Sequence, residues 1–212
     1  MGIVIRQSLL SSAASYLGVA IGFVNAVILM PKFMTPDQIG LFRTLLSAAL
    51  LLSNFGRFGV NSGLVRFKSL LKHPQTELKS LYGLGILIVF LSTLFFLIIL
   101  IIFRSSWSDF YAEKSPQIND YFILLIVLTL ELIVFQFLQT LASVHKNIFA
   151  ANLLKDLVYK CLNMGGILLF ATSVISFNTF IILHVYFYII LITLLFFESL
   201  YKYKIKISFK PL

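Results

Sequence analysis

Residues 161–197 read CLNMGGILLFATSVISFNTFIILHVYFYIILITLLFF, without one Asp, Glu, Lys or Arg. A helix rising about 1.5 Å per residue would stretch that run to roughly 55 Å, whereas the hydrocarbon core of a bilayer is about 30 Å thick. One straight span cannot use so much apolar chain. Two spans can, if the chain reverses in the polar patch Thr172-Ser173-Val174-Ile175-Ser176-Phe177-Asn178-Thr179. The stretch therefore predicts an all-α chain that lives in a membrane and crosses it more than once.

Working outward, five more blocks have the same character. The expected spans are 7–31, 37–65, 81–103, 121–145, 152–171 and 180–200, a single six-helix transmembrane lobe filling 1–212 and followed by a basic tail at 201–212. The second begins at Thr35-Pro36-Asp37-Gln38, which reads as a capping box with Pro at the first helical position. The apolar stretch after Arg6 is too long for a signal-peptide core and lacks a small-residue cleavage site, so it is expected to remain as a span.

Composition agrees. The chain of 212 residues is 59% hydrophobic and 12% charged, with a mean hydropathy of +0.98; soluble domains carry roughly 25% charged residues. A formal charge of +9 would point to nucleic acid on a soluble surface, but here the basic residues punctuate apolar blocks, so no nucleic-acid partner is expected. Lys and Arg favour the cytoplasmic side of a membrane. One set of helix ends holds Arg6, Arg57, Arg66, Lys68, Lys72, Lys79, Lys146, Lys155, Lys160, Lys202, Lys204, Lys206 and Lys210, and the other holds Lys32, Arg43, Arg104 and Lys114. Thirteen against four places both termini in the cytoplasm, and an even number of spans puts them on one side as well.

Cys161 is the single cysteine, which excludes an intramolecular disulfide and any zinc site needing two thiolates. His73, His145 and His184 are scattered, and neither a nucleophile elbow nor a phosphate loop is present. No enzyme, metal or cofactor is expected. Trp107, Phe110 and Tyr111 fit an interfacial aromatic belt.

Other residues stand out inside the spans. Ala14, Gly18, Gly22 and Ala26 repeat every four residues, leaving a small face on which a neighbouring helix packs closely or slides. Asn25 places an amide at membrane depth, either bonded across to another helix or facing a polar cavity. Glu131 lies roughly 15 Å into the fourth span and Arg43 roughly 10 Å into the second, counted from the same side. An unpaired charge at such depth costs several kcal/mol, so the two are expected to share a hydrated cavity or to pair; Arg43 alone could also snorkel. Arg57 and Arg66 stand nearer the cytoplasmic end, where snorkelling and the positive-inside bias also account for them.

The stretch Leu29-Met30-Pro31-Lys32-Phe33-Met34-Thr35-Pro36-Asp37-Gln38-Ile39-Gly40-Leu41-Phe42-Arg43 resembles the first loop and second helix of bacterial polysaccharide-biosynthesis membrane proteins, the oligosaccharide flippases of the multidrug/oligosaccharidyl-lipid/polysaccharide exporter superfamily. Ile5-Arg6-Gln7-Ser8 and Gly59-Val60-Asn61-Ser62-Gly63-Leu64-Val65-Arg66-Phe67 are similar to the same family. The resemblance implies export of undecaprenyl-diphosphate-linked oligosaccharide across the bacterial inner membrane by alternating access between two lobes. It further implies a cationic cavity, with Arg43 as the diphosphate ligand and Arg57 and Arg66 as further candidates. Six spans make one lobe, so the resemblance calls for a second six-helix lobe or for self-association. Two other functions compete: a drug or cation exporter of the same superfamily, using Glu131 to couple an ion, and a non-transport membrane subunit of a glycan-assembly complex.

Overall fold

The computed structural model describes residues 2–71, 74–104, 120–145 and 148–203. The aromatic belt at Trp107, Phe110 and Tyr111, and the tail from residue 204 onward, lie outside the described residues. Among the described residues the chain is helical, with no strand.

The first rod runs through α1 (Gly2–Phe23), a π segment (Val24–Leu29) and α2 (Met30–Phe33). After it Thr35 caps α3 (Pro36–Gly56): the Thr35 hydroxyl accepts from the Gln38 amide at 3.4 Å, and the Gln38 side-chain oxygen accepts from the Thr35 amide at 3.0 Å. The capping box read from the sequence is thus formed, with Pro36 at the first position, where its missing N–H is not needed.

The next element departs from the expectation of one span over 37–65. Helix α3 stops at Gly56, and α4 (Val60–Lys68) starts anew after a joint in which Phe58 and Gly59 take φ of 45° and 72°. The left-handed region breaks an α-helix, and Gly59 enters it without a Cβ penalty. The Gly56 carbonyl, freed by the break, accepts from the Ser92 hydroxyl of α5 (Pro74–Ile102) at 2.9 Å.

Next come α6 (Phe122–Val144) and a second interrupted rod of α7 (Ile148–Asn152), a π segment (Leu153–Val158) and α8 (Tyr159–Ala171). The last helix is α9 (Phe177–Tyr203). The reversal expected at 172–179 falls between Ala171 and Phe177; Ser173 turns left-handed at φ 58°, and the Ser176 hydroxyl caps α9 by accepting from the Thr179 amide at 3.2 Å.

Among the described residues five helices are long and apolar enough to cross a membrane: Leu9–Phe33, Pro36–Gly56, Glu77–Ile102, Phe122–Val144 and Phe177–Tyr201. The sixth expected span, 152–171, is helical but is not among them. The rod from Ile148 to Ala171 carries Lys155, Asp156 and Lys160 within six residues. Lys155 and Lys160, counted in the sequence as helix-end charges, lie with Asp156 inside this rod.

Helix α6 is the axis of the bundle. It packs along α9 on one side and along α3 and α4 on another, while α5 lies outside α3 and α4. The α7–α8 rod fills the space between α9 and the first rod. One cluster joins Phe42, Leu45, Ala49, Leu128, Phe180 and Ile181; a second, nearer the end marked by Lys68, joins Tyr82, Phe135, Leu141, Ala142, Leu191 and Leu195. α6 contributes to both.

Candidate functional site

A cavity of about 560 Å³ opens between the α3–α4 joint and α6. The α3–α4 side supplies Arg57, Asn61, Ser62, Val65 and Arg66. The α6 side supplies Gln136, Gln139, Thr140 and Ser143, spaced so that a 3.6-residue helix sets them on one stripe. Two guanidiniums thus face four neutral hydrogen-bonding side chains across the opening, and its lining among the described residues includes no acid.

The walls are tied by hydrogen bonds that hold this polar stripe in place. Arg57 Nε donates to the Ser53 carbonyl at 3.1 Å, and its Nη2 bonds Asn54 Oδ1. Gln136 Nε2 donates to Ser53 Oγ at 3.3 Å, while the Gln136 carbonyl accepts from Asn61 Nδ2 at 3.3 Å and from Thr140 Oγ1 at 2.9 Å. Gln139 Nε2 reaches Asn152 Oδ1 at 3.4 Å. Amides held this way keep unused donors and acceptors for a guest, and arginine forks match phosphate or carboxylate oxygens.

Of the five residues expected in a common cavity, the structure brings together Arg57 and Arg66. Arg43, Glu131 and Asn25 stand elsewhere. Arg43 is exposed, and its Nη2 donates to the Ala26 carbonyl at 3.2 Å. Glu131 is 8% exposed within α6, with Oε2 buried and unpartnered among the described residues. The expected Arg43–Glu131 pairing is therefore not formed. Similar depth in the membrane does not make two residues neighbours: Arg43 reaches toward the first rod, while Glu131 lies within electrostatic reach of Tyr188 on α9. Asn25 is 2% exposed and crosses to the second rod, donating through Nδ2 to the Lys160 carbonyl at 2.9 Å, the first of the two roles read from the sequence.

The small-residue stripe lies on the same rod–rod contact. Ala14 is buried, a Cβ on Gly18 would collide with the Asp156 carbonyl, and one on Gly22 would come 3.3 Å from Lys160 Cδ. Ser15 Oγ donates to Asp156 Oδ2 at 2.7 Å, and Ala26 is half-buried beside the Arg43 guanidinium. Close approach of two backbones needs this missing bulk.

Sequence reading missed the α6 stripe. Its signal was present, since Gln136, Gln139, Thr140 and Ser143 follow an i, i+3, i+4, i+7 pattern. Uncharged amides and hydroxyls at that spacing also suit ordinary helix packing, so the pattern alone does not mark a cavity. Among the described residues no group of three or more His, Cys, Asp or Glu is placed to hold a metal ion. No protein-family model, curated protein or solved structure matches the chain.

Proposed function

We propose that the chain is one lobe of a membrane transporter for lipid-linked oligosaccharide, working across the bacterial inner membrane with both termini in the cytoplasm. The observation that carries this reading is the cavity between the α3–α4 joint and α6, where Arg57 and Arg66 face Gln136, Gln139, Thr140 and Ser143. A diphosphate needs guanidinium forks, and sugar hydroxyls need neutral partners that both donate and accept. The cavity offers both, at a volume suited to a headgroup rather than to a polymer. A pair of arginines disfavours a cationic drug as cargo. Alternating access rocks one lobe against another around a site at their interface, so a second lobe, or a second copy of this one, completes the path.

Binding of undecaprenyl diphosphate to the protein in lipid nanodiscs tests the reading. Arg57→Gln and Arg66→Gln should each weaken binding roughly tenfold, since a charge-assisted hydrogen bond is worth about 1.5–3 kcal/mol. The same lipid without its diphosphate should bind weakly to all forms. Equal binding of the two lipids by the wild-type protein, or no loss in the double variant, would remove the basis for the assignment.

A further inference from the structure

Glu131 sits near the middle of α6, inside the bundle and outside the cavity wall. An ionised carboxylate withdrawn from water without a counter-charge costs several kcal/mol, so intramembrane acids are paired, or they carry a proton or a cation. Glu131 Oε2 has no hydrogen-bond partner among the described residues, and Arg43, the cation expected beside it, is engaged with Ala26.

The surroundings are aromatic and polar. From α9, Tyr188 lies within electrostatic reach of the carboxyl, and its ring stands 6.4 Å from Phe135, one turn along α6 from Glu131. From α8, the Tyr159 ring lies tilted against that of Tyr188 with centroids 5.0 Å apart, and its buried hydroxyl lies close to the Tyr188 hydroxyl. His184, one turn from Tyr188, is fully buried; its Nδ1 meets the Phe180 carbonyl at 2.9 Å, and its Nε2 lies 3.4 Å from Asn163 Oδ1. Among the basic residues of the neighbouring elements, Arg43 donates to Ala26, Arg66 lines the cavity and Lys68 lies near His145. Lys155 is exposed, Lys160 packs on Gly22, and Arg57 bonds Ser53 and Asn54. The acids on these elements include Asp37, in the first turn of α3, Asp156, which accepts from Ser15, and Glu198, near the far end of α9.

We infer that Glu131, with Tyr188 beside it, forms a proton-binding site inside the helix bundle. The carboxylate takes up one proton and becomes the neutral acid; no other bond forms or breaks. Release of that proton leaves a bare charge between α6 and α9, which drives those helices apart or draws water between them. A proton gradient can thereby act on helix packing whatever the cargo, so the inference stands apart from the substrate reading.

Infrared difference spectroscopy of the protein in nanodiscs, between neutral and alkaline pH, reads the site directly. The expected result is a protonated-carboxyl stretching band at neutral pH that is lost on alkalinisation, is absent in Glu131→Gln, persists in Glu198→Gln and shifts in Tyr188→Phe. Dicyclohexylcarbodiimide, which attacks protonated carboxyls in apolar surroundings, provides a reading on the wild-type chain alone: it should modify Glu131 at neutral pH, with the modification lost at alkaline pH. A wild-type spectrum without the band, as a cation-bound carboxylate would give, overturns the inference. So does a band that survives Glu131→Gln in folded protein, or carbodiimide modification confined to other acids.

Discussion

Helices α5 and α6 are the most instructive pair in the molecule. α5 is the more apolar of the two, yet only 11% of its apolar stretch is buried, against 56% for α6. Phe90, Leu91 and Phe95 of α5 are more than half exposed, while α6 carries Glu131, Gln136, Gln139 and Thr140 in the interior or along a cavity. In a soluble protein that order would be reversed, because water drives the apolar helix inward. Lipid tails are as apolar as Leu, so helices associate through shape and hydrogen bonds instead. The helix with polar atoms to satisfy takes the centre.

The comparison breaks most readily at large side chains. Leu128→Ala removes a fully buried side chain from α6 and should cost about 2–5 kcal/mol, since the surrounding helices collapse only partly into the hole. Phe90→Ala, on α5 at 65% exposure, should change stability by about 0.5 kcal/mol or less, because lipid occupies the vacated space. Denaturation in mixed micelles measures both; similar losses would mean that α5 is covered by another protein surface.

A smaller effect sharpens the same contrast at the first rod. Gly18→Val drives a side chain into the Asp156 backbone and should cost about 1–3 kcal/mol. Gly165→Ala, where an added Cβ meets nothing within 4 Å, should be neutral or stabilise by up to about 1 kcal/mol through helix propensity. Thermal unfolding of the two variants side by side decides the point.

The smallest effect concerns a polar tie between α5 and α6. Tyr82 Oη and His145 Nε2 are 2.7 Å apart, and His145 lies just beyond the last residue of α6. Burial, and then the Lys68 charge, hold the imidazole below the ordinary value of 6.5. The unfolded chain therefore binds the proton first as pH falls. The contribution is fully present above about pH 6.5 and is lost as acidification proceeds toward the folded value. Unfolding followed from pH 7.5 down to 5 should show a decline that His145→Phe flattens.

Some of this order was legible from the chain. Thr35-Pro36-Asp37-Gln38 names a helix start because its hydrogen bonds are local, and the four-residue spacing of Ala14, Gly18 and Gly22 survives folding unchanged. The reversal after Ala171 was legible for the same reason, written in Thr172, Ser173 and Ser176. Contacts between rods were not. Depth follows from counting residues, but which neighbour Arg43 or Glu131 meets depends on how five other elements pack, and nothing local encodes that. The joint at Phe58 was not legible, because a left-handed Phe has no sequence mark.

That joint has a geometric consequence. Arg57 and Arg66 are nine positions apart, and an α-helix turns about 100° per residue. On an unbroken helix the two guanidiniums would leave the axis in opposite directions, half a revolution out of phase. The left-handed steps at Phe58 and Gly59 reset the phase, so that both arginines end on one wall of the same cavity. A non-glycine residue costs about 1–2 kcal/mol in that conformation. The backbone thus carries a fixed local strain, and the convergence of two like charges on one opening is what accompanies it.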